Sequence, residues 1–220
     1  MKKVIQIAEA VARIPDGAVL MIGGFMGVGT PDGLVDALVS AGRRDLTVIA
    51  NDTARPGVGI GKLIDAKLVR KVIASHIGTN PETQRQMIAG ETEVELVPQG
   101  TLAERVRAGG FGLGGILTPT GVGTVVAEGK RTIEVDGVPF LLELPLRADF
   151  ALVKAKRGDY LGNLDYALTA RNFNPLIAMA ADVVLAEAEA IVPVGVIPPD
   201  AVVTPSVVVD HLVAKEVRHG

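Results

Sequence analysis

Short apolar runs alternate with amphipathic segments along the first half of the chain. Val19 to Ile22 is a continuous apolar run that ends at Gly23 and Gly24, which is typical of a strand buried on both faces. Similar runs predict further strands over residues 46–50, 69–75 and 94–97. Because strands that alternate with helices build βαβ units, this pattern predicts the α/β class, with an open, mostly parallel sheet and flanking helices.

Capping residues predict where the intervening helices begin and end. Thr30-Pro31-Asp32 predicts a helix with Thr30 as its N-cap, and Gly42 ends it. Asn80-Pro81-Glu82 repeats the same signal for a second helix. Thr101 and Glu104 have the spacing of a capping box, which predicts that a third helix begins there.

The pattern changes after Gly109. Residues 109–124 contain seven glycines in sixteen positions, too many for a regular element. Residues 132–140 predict a β-hairpin around Asp136-Gly137. The remaining predicted elements are a strand over 148–155, a turn at Gly158-Asp159, a short strand near Leu164, a helix from Asn174-Pro175 to near Ala181, a strand over 183–185 and a last strand at Val207–Val209. We expect one domain over residues 1–220, with an added β-hairpin portion around 110–145.

Composition excludes several classes of function. The 22 Lys and Arg residues nearly balance 25 Asp and Glu, and aromatics make up only 3%, which argues against nucleic-acid binding by bulk charge or base stacking. The absence of cysteine excludes disulfides, thiolate zinc ligands and a thiolate nucleophile in this chain. His76, His211 and His219 are too scattered for a histidine-rich metal site, so we expect no metal, although a carboxylate-bound Mg²⁺ stays open.

The N-terminal segment and the apolar runs bear on location. Lys2, Lys3 and Glu9 interrupt the first apolar stretch too early for a secretory leader. Charges, Gly or Pro break every apolar run well before the roughly 18 residues that a membrane helix needs. We therefore expect no membrane span and a cytoplasmic location.

Candidate chemistry lies in the loops that follow the predicted strands, because the carboxyl ends of parallel strands meet at one edge of a sheet. The first is the loop from Gly23 to Pro31, where glycines permit close backbone approach and amides at a helix start suit an anion. A tight turn without a ligand explains these glycines equally well. Asn51-Asp52-Thr53 and Gln99 follow the second and fourth strands; each alone is more typical of a turn or a solvated loop, and their shared edge favours a common site.

Two further features have open interpretations. Residues 109–124 fit either a backbone surface for an extended ligand or partner, or a flexible lid. His76 and Glu82 flank one strand-to-helix loop and have the residue types of an acid–base pair. We favour a polar loop followed by an acid at a helix start, because acids often occupy that position.

Several motifs together resemble family I coenzyme A transferases, and they extend over essentially the whole chain. The first runs Asp16-Gly17, an apolar stretch, then Gly23-Gly24-Phe25 with Gly29 and Pro31. The others are Asn51-Asp52, Ser75-His76-Ile77-Gly78-Thr79-Asn80-Pro81-Glu82, Pro98-Gln99-Gly100-Thr101-Leu102-Ala103-Glu104-Arg105, Thr118-Pro119-Thr120-Gly121 and Ala170-Arg171-Asn172-Phe173-Asn174. Within that family the chain is similar to the alpha subunit of the acetate/acetoacetyl-CoA (3-oxoacid) branch.

This resemblance implies a reaction and half of its machinery. A glutamate attacks an acyl-CoA thioester, and an acyl–glutamyl anhydride and then a glutamyl-CoA thioester follow. Family members hold that glutamate in a Ser-Glu-Asn-Gly motif on the beta subunit, and this sequence contains no such motif. The resemblance therefore implies a beta-subunit partner, in an α2β2 or α4β4 hetero-oligomer, with coenzyme A as substrate and no permanently bound cofactor.

The resemblance also assigns residues. It implies that the CoA-associated loop consists of Gly24, Phe25, Met26, Gly27, Val28, Gly29 and Thr30. Asn51 and Gln99 fall where relatives line the acyl or carboxylate pocket, and Gln99 is a candidate oxyanion donor. Some relatives have Asn-Asn where this chain has Asn51-Asp52, which leaves the role of Asp52 open.

Other functions remain compatible with these residues. The chain has the features of a non-catalytic binding protein for an anionic metabolite on the same scaffold. It also fits a subunit that only stabilises the beta chain, or a subunit of a 3-oxoadipate- or succinate-specific transferase.

Overall fold

The computed structural model describes residues 4–214, so that Lys2, Lys3 and His219, on which the predictions of targeting and metal binding draw, lie outside it. A sheet of parallel strands forms its centre. The spatial order of the strands is β1 (Val4–Ile5), β12 (His211–Ala214), β11 (Ala181–Val192), β9 (Ala148–Asp159), β2 (Val19–Ile22), β3 (Leu46–Asp52), β4 (Val69–His76) and β5 (Glu93–Leu96). A short strand, β10 (Leu164–Asp165), pairs antiparallel with β9.

The strand order reverses at β2. From β2 the chain proceeds outward through β3, β4 and β5, then crosses to the other side of β2, where β9, β11 and β12 follow. Such a reversal opens a crevice at the carboxyl ends of the two strands that flank it, here β2 and β9. The predicted α/β class, with an open and mostly parallel sheet, is confirmed.

Helices cover both faces of the sheet. Within residues 4–214 they are α1 (Ile7–Ala12), α2 (Asp32–Ala41), α3 (Gly61–Asp65), α4 (Pro81–Ile88), α5 (Gln99–Gly110) and α6 (Asn174–Ile177). One core lies between the sheet and α1, α2 and α3, and a second lies between the sheet and α5 and α6. Neighbouring strand residues alternate between the two, with Leu20 and Ile22 in the first core and Met21 in the second. Burial on both faces explains why these strands are continuously apolar.

A second, small sheet confirms the predicted β portion. It consists of β6 (Ile116–Thr118), β8 (Val138–Glu143) and β7 (Thr132–Val135), all antiparallel. The β7–β8 hairpin turns at Asp136 and Gly137, both with positive φ, as the Asp-Gly pair predicts. The division of the chain into one domain stays a prediction.

Two predicted helix starts are wrong, one because of tertiary packing and one because the helix begins earlier along the chain. Helix α2 begins at Asp32, with Pro31 at the N-cap and no side-chain cap. Thr30 is buried and packs on Gly24 and Gly59 instead. Helix α5 begins at Gln99, since the Leu102 N–H already bonds to the Pro98 carbonyl. By contrast, Asn80 caps α4 as predicted, accepting from the N–H groups of Glu82 and Thr83.

The proline-rich segment after β11 corrects one further prediction. The predicted last strand at Val207–Val209 is wrong: residues 206–208 form a 3₁₀ turn, and β12 at His211–Ala214 is the edge-proximal strand. The predicted turn at Gly158-Asp159 is also displaced, because β9 continues through Asp159. The segment packs back on β10, where the Leu164 N–H bonds to the Thr204 carbonyl and the Tyr166 hydroxyl lies 2.6 Å from Thr204 Oγ1. Burial raises the pKa of Tyr166.

The glycine-rich segment is more regular than predicted. Gly109 and Gly110 belong to the last turn of α5, and residues 116–118 form β6. A Cβ at Gly109 would lie 1.9 Å from the Leu146 carbonyl oxygen, so glycine permits α5 to approach the backbone before β9. No helix within residues 4–214 is both long and apolar enough to cross a membrane.

We predict that Gly109→Ala destabilises the protein although alanine favours helix. Helix propensity favours alanine by about 1 kcal/mol, but the collision with backbone should reverse this and give a net loss of about 1–3 kcal/mol. Gly114→Ala is the matched control, since a Cβ there meets nothing within 4 Å. Urea denaturation of both variants is the measurement, and equal midpoints would contradict the packing argument.

Candidate active site

The loop after β2 is a tight hairpin at the carboxyl edge of the sheet. Phe25 and Val28 exchange two backbone hydrogen bonds, each 2.9 Å. The corner residues Met26 and Gly27 both have positive φ, +52° and +88°, which is the geometry of a two-residue hairpin turn. Phe25 and Val28 remain exposed at the tip. The loop is therefore a defined projection from the edge.

Most amides of this loop are already engaged. The Gly24 N–H donates to Asn172 Oδ1 at 3.1 Å, and the Met26 N–H donates to Asp52. Among residues 4–214, no acceptor binds the N–H groups of Gly27 and Gly29. These two amides are the donors that the hairpin has available for a ligand.

The start of α2 is occupied by a carboxylate of the same chain. Glu187 on β11 is fully buried, and its Oε2 accepts the Leu34 N–H at 2.9 Å. Lys154 on β9 lies beside it, with Nζ 3.5 Å from Glu187 Oε1. The expected role of the helix start in anion binding is thus filled internally, because a negative charge already sits at the positive end of the helix dipole.

Two asparagines join the hairpin to the other half of the sheet. Asn172 accepts from the Gly24 N–H and donates to the Val28 carbonyl at 2.9 Å. Asn174 is fully buried; it donates to the Gly29 carbonyl at 2.9 Å and accepts the Lys154 N–H at 2.9 Å. The prediction that Asn174 caps a helix to near Ala181 is wrong, because its amide fills the crevice between β2 and β9 and α6 ends at Ile177.

Asp52 stabilises the hairpin by accepting backbone hydrogen bonds. Its carboxylate is buried and accepts the N–H groups of Met26 at 3.0 Å and Ala54 at 2.6 Å. Met26 and Ala54 both adopt positive φ, so each bond holds a residue in a conformation that it would otherwise disfavour. The role of Asp52, open in the sequence, is to fix the two loops that follow β2 and β3.

Asn51 and Gln99 come together, as their positions at one edge predicted. Gln99 Nε2 donates to Asn51 Oδ1 at 2.7 Å, and Asn51 Nδ2 donates to the Gly24 carbonyl at 2.8 Å. Asn51 is buried and Gln99 is exposed. Gln99 is the first residue of α5, so a helix and not a loop positions it. Of the two amides, that of Gln99 is accessible to a ligand.

The carboxylates near this edge are committed to structural bonds. Asp159 accepts three backbone N–H groups at 3.0 Å, from Leu161, Gly162 and Asn163. Burial acts to raise the pKa of Asp159, but hydrogen bonds from Asn163 and these amides outweigh it and hold the pKa below its usual value. Together with Asp52 and Glu187, Asp159 is thus a structural acceptor.

His76 and Glu82 do not form an acid–base pair. The Glu82 carboxylate binds Arg85 through two hydrogen bonds, of 2.8 and 2.9 Å. These bonds, with one from Gln86, lower the pKa of Glu82 to about 2. His76 is exposed on the carboxyl end of β4. Glu82 therefore acts as a paired acid at a helix start, as favoured from the sequence.

A cavity of about 1200 Å³ lies beside α2, and its lining includes Val58, whose side chain is next to Gly27 of the hairpin. Its lining includes Asp32, Asp36, Glu187 and Glu189, with Lys62 bound to the first two. Even with Arg43 also in the lining, carboxylates exceed basic groups, which disfavours the phosphates of coenzyme A, so we place the candidate site at the Asn51–Gln99 contact. Within residues 4–214, no group of three or more His, Asp or Glu side chains is arranged to hold a metal ion.

Comparison with known proteins agrees with this architecture. The family model described as "Coenzyme A transferase" matches residues 4–215, and the chain belongs to that family. It is 60% identical over 214 residues to acetate CoA-transferase subunit alpha of Escherichia coli, covering 97% of each chain. It is 48% identical over 211 residues to the acetoacetyl-CoA:acetate/butyrate CoA transferase alpha subunit of Clostridium acetobutylicum, covering 96% of this chain and 97% of the relative.

The fold has a counterpart among solved structures. The acyl-CoA transferase YdiF of Escherichia coli O157:H7, in a thioester complex with CoA, superposes with a TM-score of 0.86 at 24% identity. The match covers 97% of this chain and 47% of that one, so this chain spans about half the length of the solved protein. At this identity the likeness concerns the fold.

Sequence reasoning missed three functions at this edge. Asp52 follows Asn51 directly, but nothing in the sequence signals that it accepts the Met26 amide. Asn172 and Asn174 belong to a motif noted in the sequence, but strand-like alternation does not reveal their roles, because Phe173 between them has a helical backbone and Asn174 begins α6.

We predict that Asp52→Ala destabilises the chain by about 1–3 kcal/mol, because the buried N–H of Ala54 and the partly buried N–H of Met26 lose their acceptor. Asp52→Asn retains one oxygen acceptor and should lose less. Asp182→Ala removes an exposed ion pair with Arg147 and is the control, with an expected change below about 1 kcal/mol. If urea denaturation shows equal losses for Asp52→Ala and Asp182→Ala, Asp52 does not hold the loops.

Proposed function

We propose that this chain is the alpha subunit of a heteromeric CoA transferase. The enzyme would move CoA between a short-chain acyl-CoA, such as acetoacetyl-CoA, and a short-chain carboxylate such as acetate. The observation that carries the proposal is the 2.7 Å contact that joins Gln99 to Asn51 at the base of the glycine hairpin, in a chain of this family. The names of the relatives, acetate and acetoacetyl-CoA:acetate/butyrate transferases, support the substrate class.

The nucleophile belongs to the partner in this proposal. A glutamate of the beta subunit attacks the thioester carbonyl, the carbonyl oxygen becomes an oxyanion, and the thiolate of CoA leaves as the anhydride forms. The thiolate then attacks the glutamyl carbonyl and releases the acyl group as a carboxylate. The absence of a Ser-Glu-Asn-Gly motif from the sequence and the structural commitments of Asp52, Asp159 and Glu187 support this division of labour.

This chain contributes oriented donors. Gln99 Nε2 carries two protons, and one of them is donated in the hydrogen bond to Asn51 Oδ1. The second is available to an oxyanion, where a preorganised donor stabilises the charge as it develops. The hairpin Gly24–Thr30 is the CoA-associated loop, with the amides of Gly27 and Gly29 as its free donors. Asn51 contributes to the pocket indirectly, through its hydrogen bonds to Gln99 and to the Gly24 carbonyl.

The partner would cover the carboxyl edge of the sheet. Large apolar side chains are exposed on the segments that follow β2, β9, β10 and β11, which supports burial there by another chain. They are Phe25, Val28, Leu161, Leu168, Val194 and Val207. The alpha-subunit names of the relatives also support a partner. We propose an α2β2 or α4β4 hetero-oligomer, formed by single-domain alpha chains in the cytoplasm.

Two alternatives make different predictions. A 3-oxoadipate- or succinate-specific transferase subunit would use the same donors with a dicarboxylate. A non-catalytic binding protein on the same scaffold would bind an anionic metabolite without turnover. The acid that supports exchange in the assembled enzyme distinguishes the first, and the presence of any exchange distinguishes the second.

We predict that the isolated chain folds but does not catalyse acetoacetyl-CoA:acetate exchange. Co-expression with a neighbouring-gene product that contains Ser-Glu-Asn-Gly should produce a complex with activity, because the nucleophile is then present. Exchange by the chain alone would overturn the proposal. A stable complex without exchange towards acetate, succinate or 3-oxoadipate would favour the non-catalytic alternative.

We also predict that Gly27→Ala raises KM for acyl-CoA about tenfold, the equivalent of about 1.4 kcal/mol. The added Cβ would point towards Val58, 2.6 Å from its Cγ1, and would hinder approach to the free amides. Gly57→Ala is the matched control: it also has positive φ, but a Cβ there meets nothing within 4 Å. Both variants should lose stability of about 1–2 kcal/mol. Equal KM values for the two would show that the hairpin glycine serves folding alone.

A further inference from the structure

We propose that Ser75 is a positioning residue that fixes the orientation of the Gln99 amide, so that one Nε2 proton faces the reacting carbonyl. This inference rests on the proposed function. Ser75 lies on β4 one residue before its end, half-buried at the same edge as Asn51 and Gln99. Its hydroxyl contacts Gln99 Oε1 in a short hydrogen bond and also lies 2.9 Å from the Asn51 carbonyl oxygen.

The direction of the hydrogen bonds follows from one backbone carbonyl. The Gly24 carbonyl can only accept, so the Asn51 side-chain atom beside it must be the donating Nδ2. Asn51 therefore directs its acceptor Oδ1 towards Gln99, and the Gln99 atom that bonds to it must be the donor Nε2. That choice leaves Oε1 on the opposite side of the Gln99 amide. There, only a donor satisfies it. The Ser75 hydroxyl, whose single proton is within reach of both Gln99 Oε1 and the Asn51 carbonyl, is that donor.

The chain of bonds is thus directional from Ser75 to Gly24. Each amide in it is fixed against a flip, because a flip would place two acceptors or two donors face to face. Asn51 is buried and held at both ends, whereas Gln99 is exposed and depends on Ser75 for its outer bond. Without the hydroxyl, Gln99 keeps only its bond to Asn51 Oδ1, and with its outer bond lost the exposed side chain can shift so that the second Nε2 proton no longer faces the substrate.

A purely structural role for Ser75 makes a different prediction. Its hydroxyl is half-exposed, so water can replace it in the fold at little cost, whereas water does not enforce one amide orientation. If Ser75 acts through Gln99, its removal must lower kcat only when Gln99 is present. If it supports β4 or α5 generally, its effect must persist without Gln99.

The test is a double-mutant cycle in the enzyme reconstituted with its partner subunit. We expect Gln99→Ala to lower kcat for acetoacetyl-CoA:acetate exchange about 100-fold. Ser75→Ala should lower kcat about tenfold with KM for both substrates nearly unchanged, an interaction made mainly in the transition state. In the Gln99→Ala background the same substitution should change kcat by less than about twofold. Ser75→Thr keeps the hydroxyl and should retain activity.

Ser40→Ala is the matched control, since that exposed hydroxyl on α2 donates only to the Asp36 carbonyl, and its kcat should not change. Additive effects of Ser75→Ala and Gln99→Ala would overturn the positioning role, as would a Gln99→Ala enzyme with unchanged kcat. A Ser75→Thr enzyme as impaired as Ser75→Ala would also overturn it.

A second measurement separates this inference from the proposed function. In ¹⁵N NMR spectra of the full chain, the side-chain NH₂ of Gln99 should give two well-separated proton signals, which Ser75→Ala should draw together while Ser40→Ala leaves them unchanged. If every reconstituted preparation lacks exchange activity, the proposed function fails while this spectrum still decides whether Ser75 orients Gln99. Unmoved signals in Ser75→Ala would overturn the inference whatever the activity.

Discussion

The buried backbone N–H and C=O of Gly24 are the constraint on which the site depends. Backbone polar groups removed from water need hydrogen-bond partners, and at this position the sheet ladder has ended. Asn51 supplies a donor to the carbonyl from β3, and Asn172 supplies an acceptor to the N–H from the other half of the sheet. The backbone of one residue therefore joins the two halves of the molecule at the point where the strand order reverses.

The same requirement accounts for the neighbouring residues. Asn174 satisfies the Gly29 carbonyl and the Lys154 amide where β2 and β9 separate, and Asp52 satisfies the Met26 amide at the hairpin corner. The hairpin is consequently rigid before any ligand arrives, which limits the entropy lost on binding. The carboxylates that achieve this are unavailable for covalent chemistry. Stability and catalysis thus use separate groups, consistent with a nucleophile on a second chain.

The sequence predicts what local physics controls. Strands buried on both faces can be predicted from continuous apolar runs in the sequence. The Asn80 cap and the Asp136-Gly137 turn can be predicted because they depend only on nearby backbone. Thr30 and Asn174 have the residue types of caps, but distant contacts assign them other positions. Thr101 also has the residue type of a cap, but α5 begins two residues before it. Glu187 caps α2 from 153 positions away, and no local signal could reveal it. Asn51 and Gln99 were predictable as neighbours because parallel strands place them at one edge; the direction of their hydrogen bonds required the Gly24 carbonyl.

The placement of the two tyrosines has an optical consequence. The chain contains no tryptophan, so its near-ultraviolet spectrum comes mainly from Tyr160 and Tyr166. Tyr160 follows the end of β9, where its N–H bonds to the Val192 carbonyl, and Tyr166 is held against Thr204 beside the same strand. Both chromophores therefore report on the carboxyl edge of the sheet and are silent about the rest of the fold. In a mixed assembly, indole fluorescence would belong entirely to the other chain, and tyrosine dichroism would follow this edge.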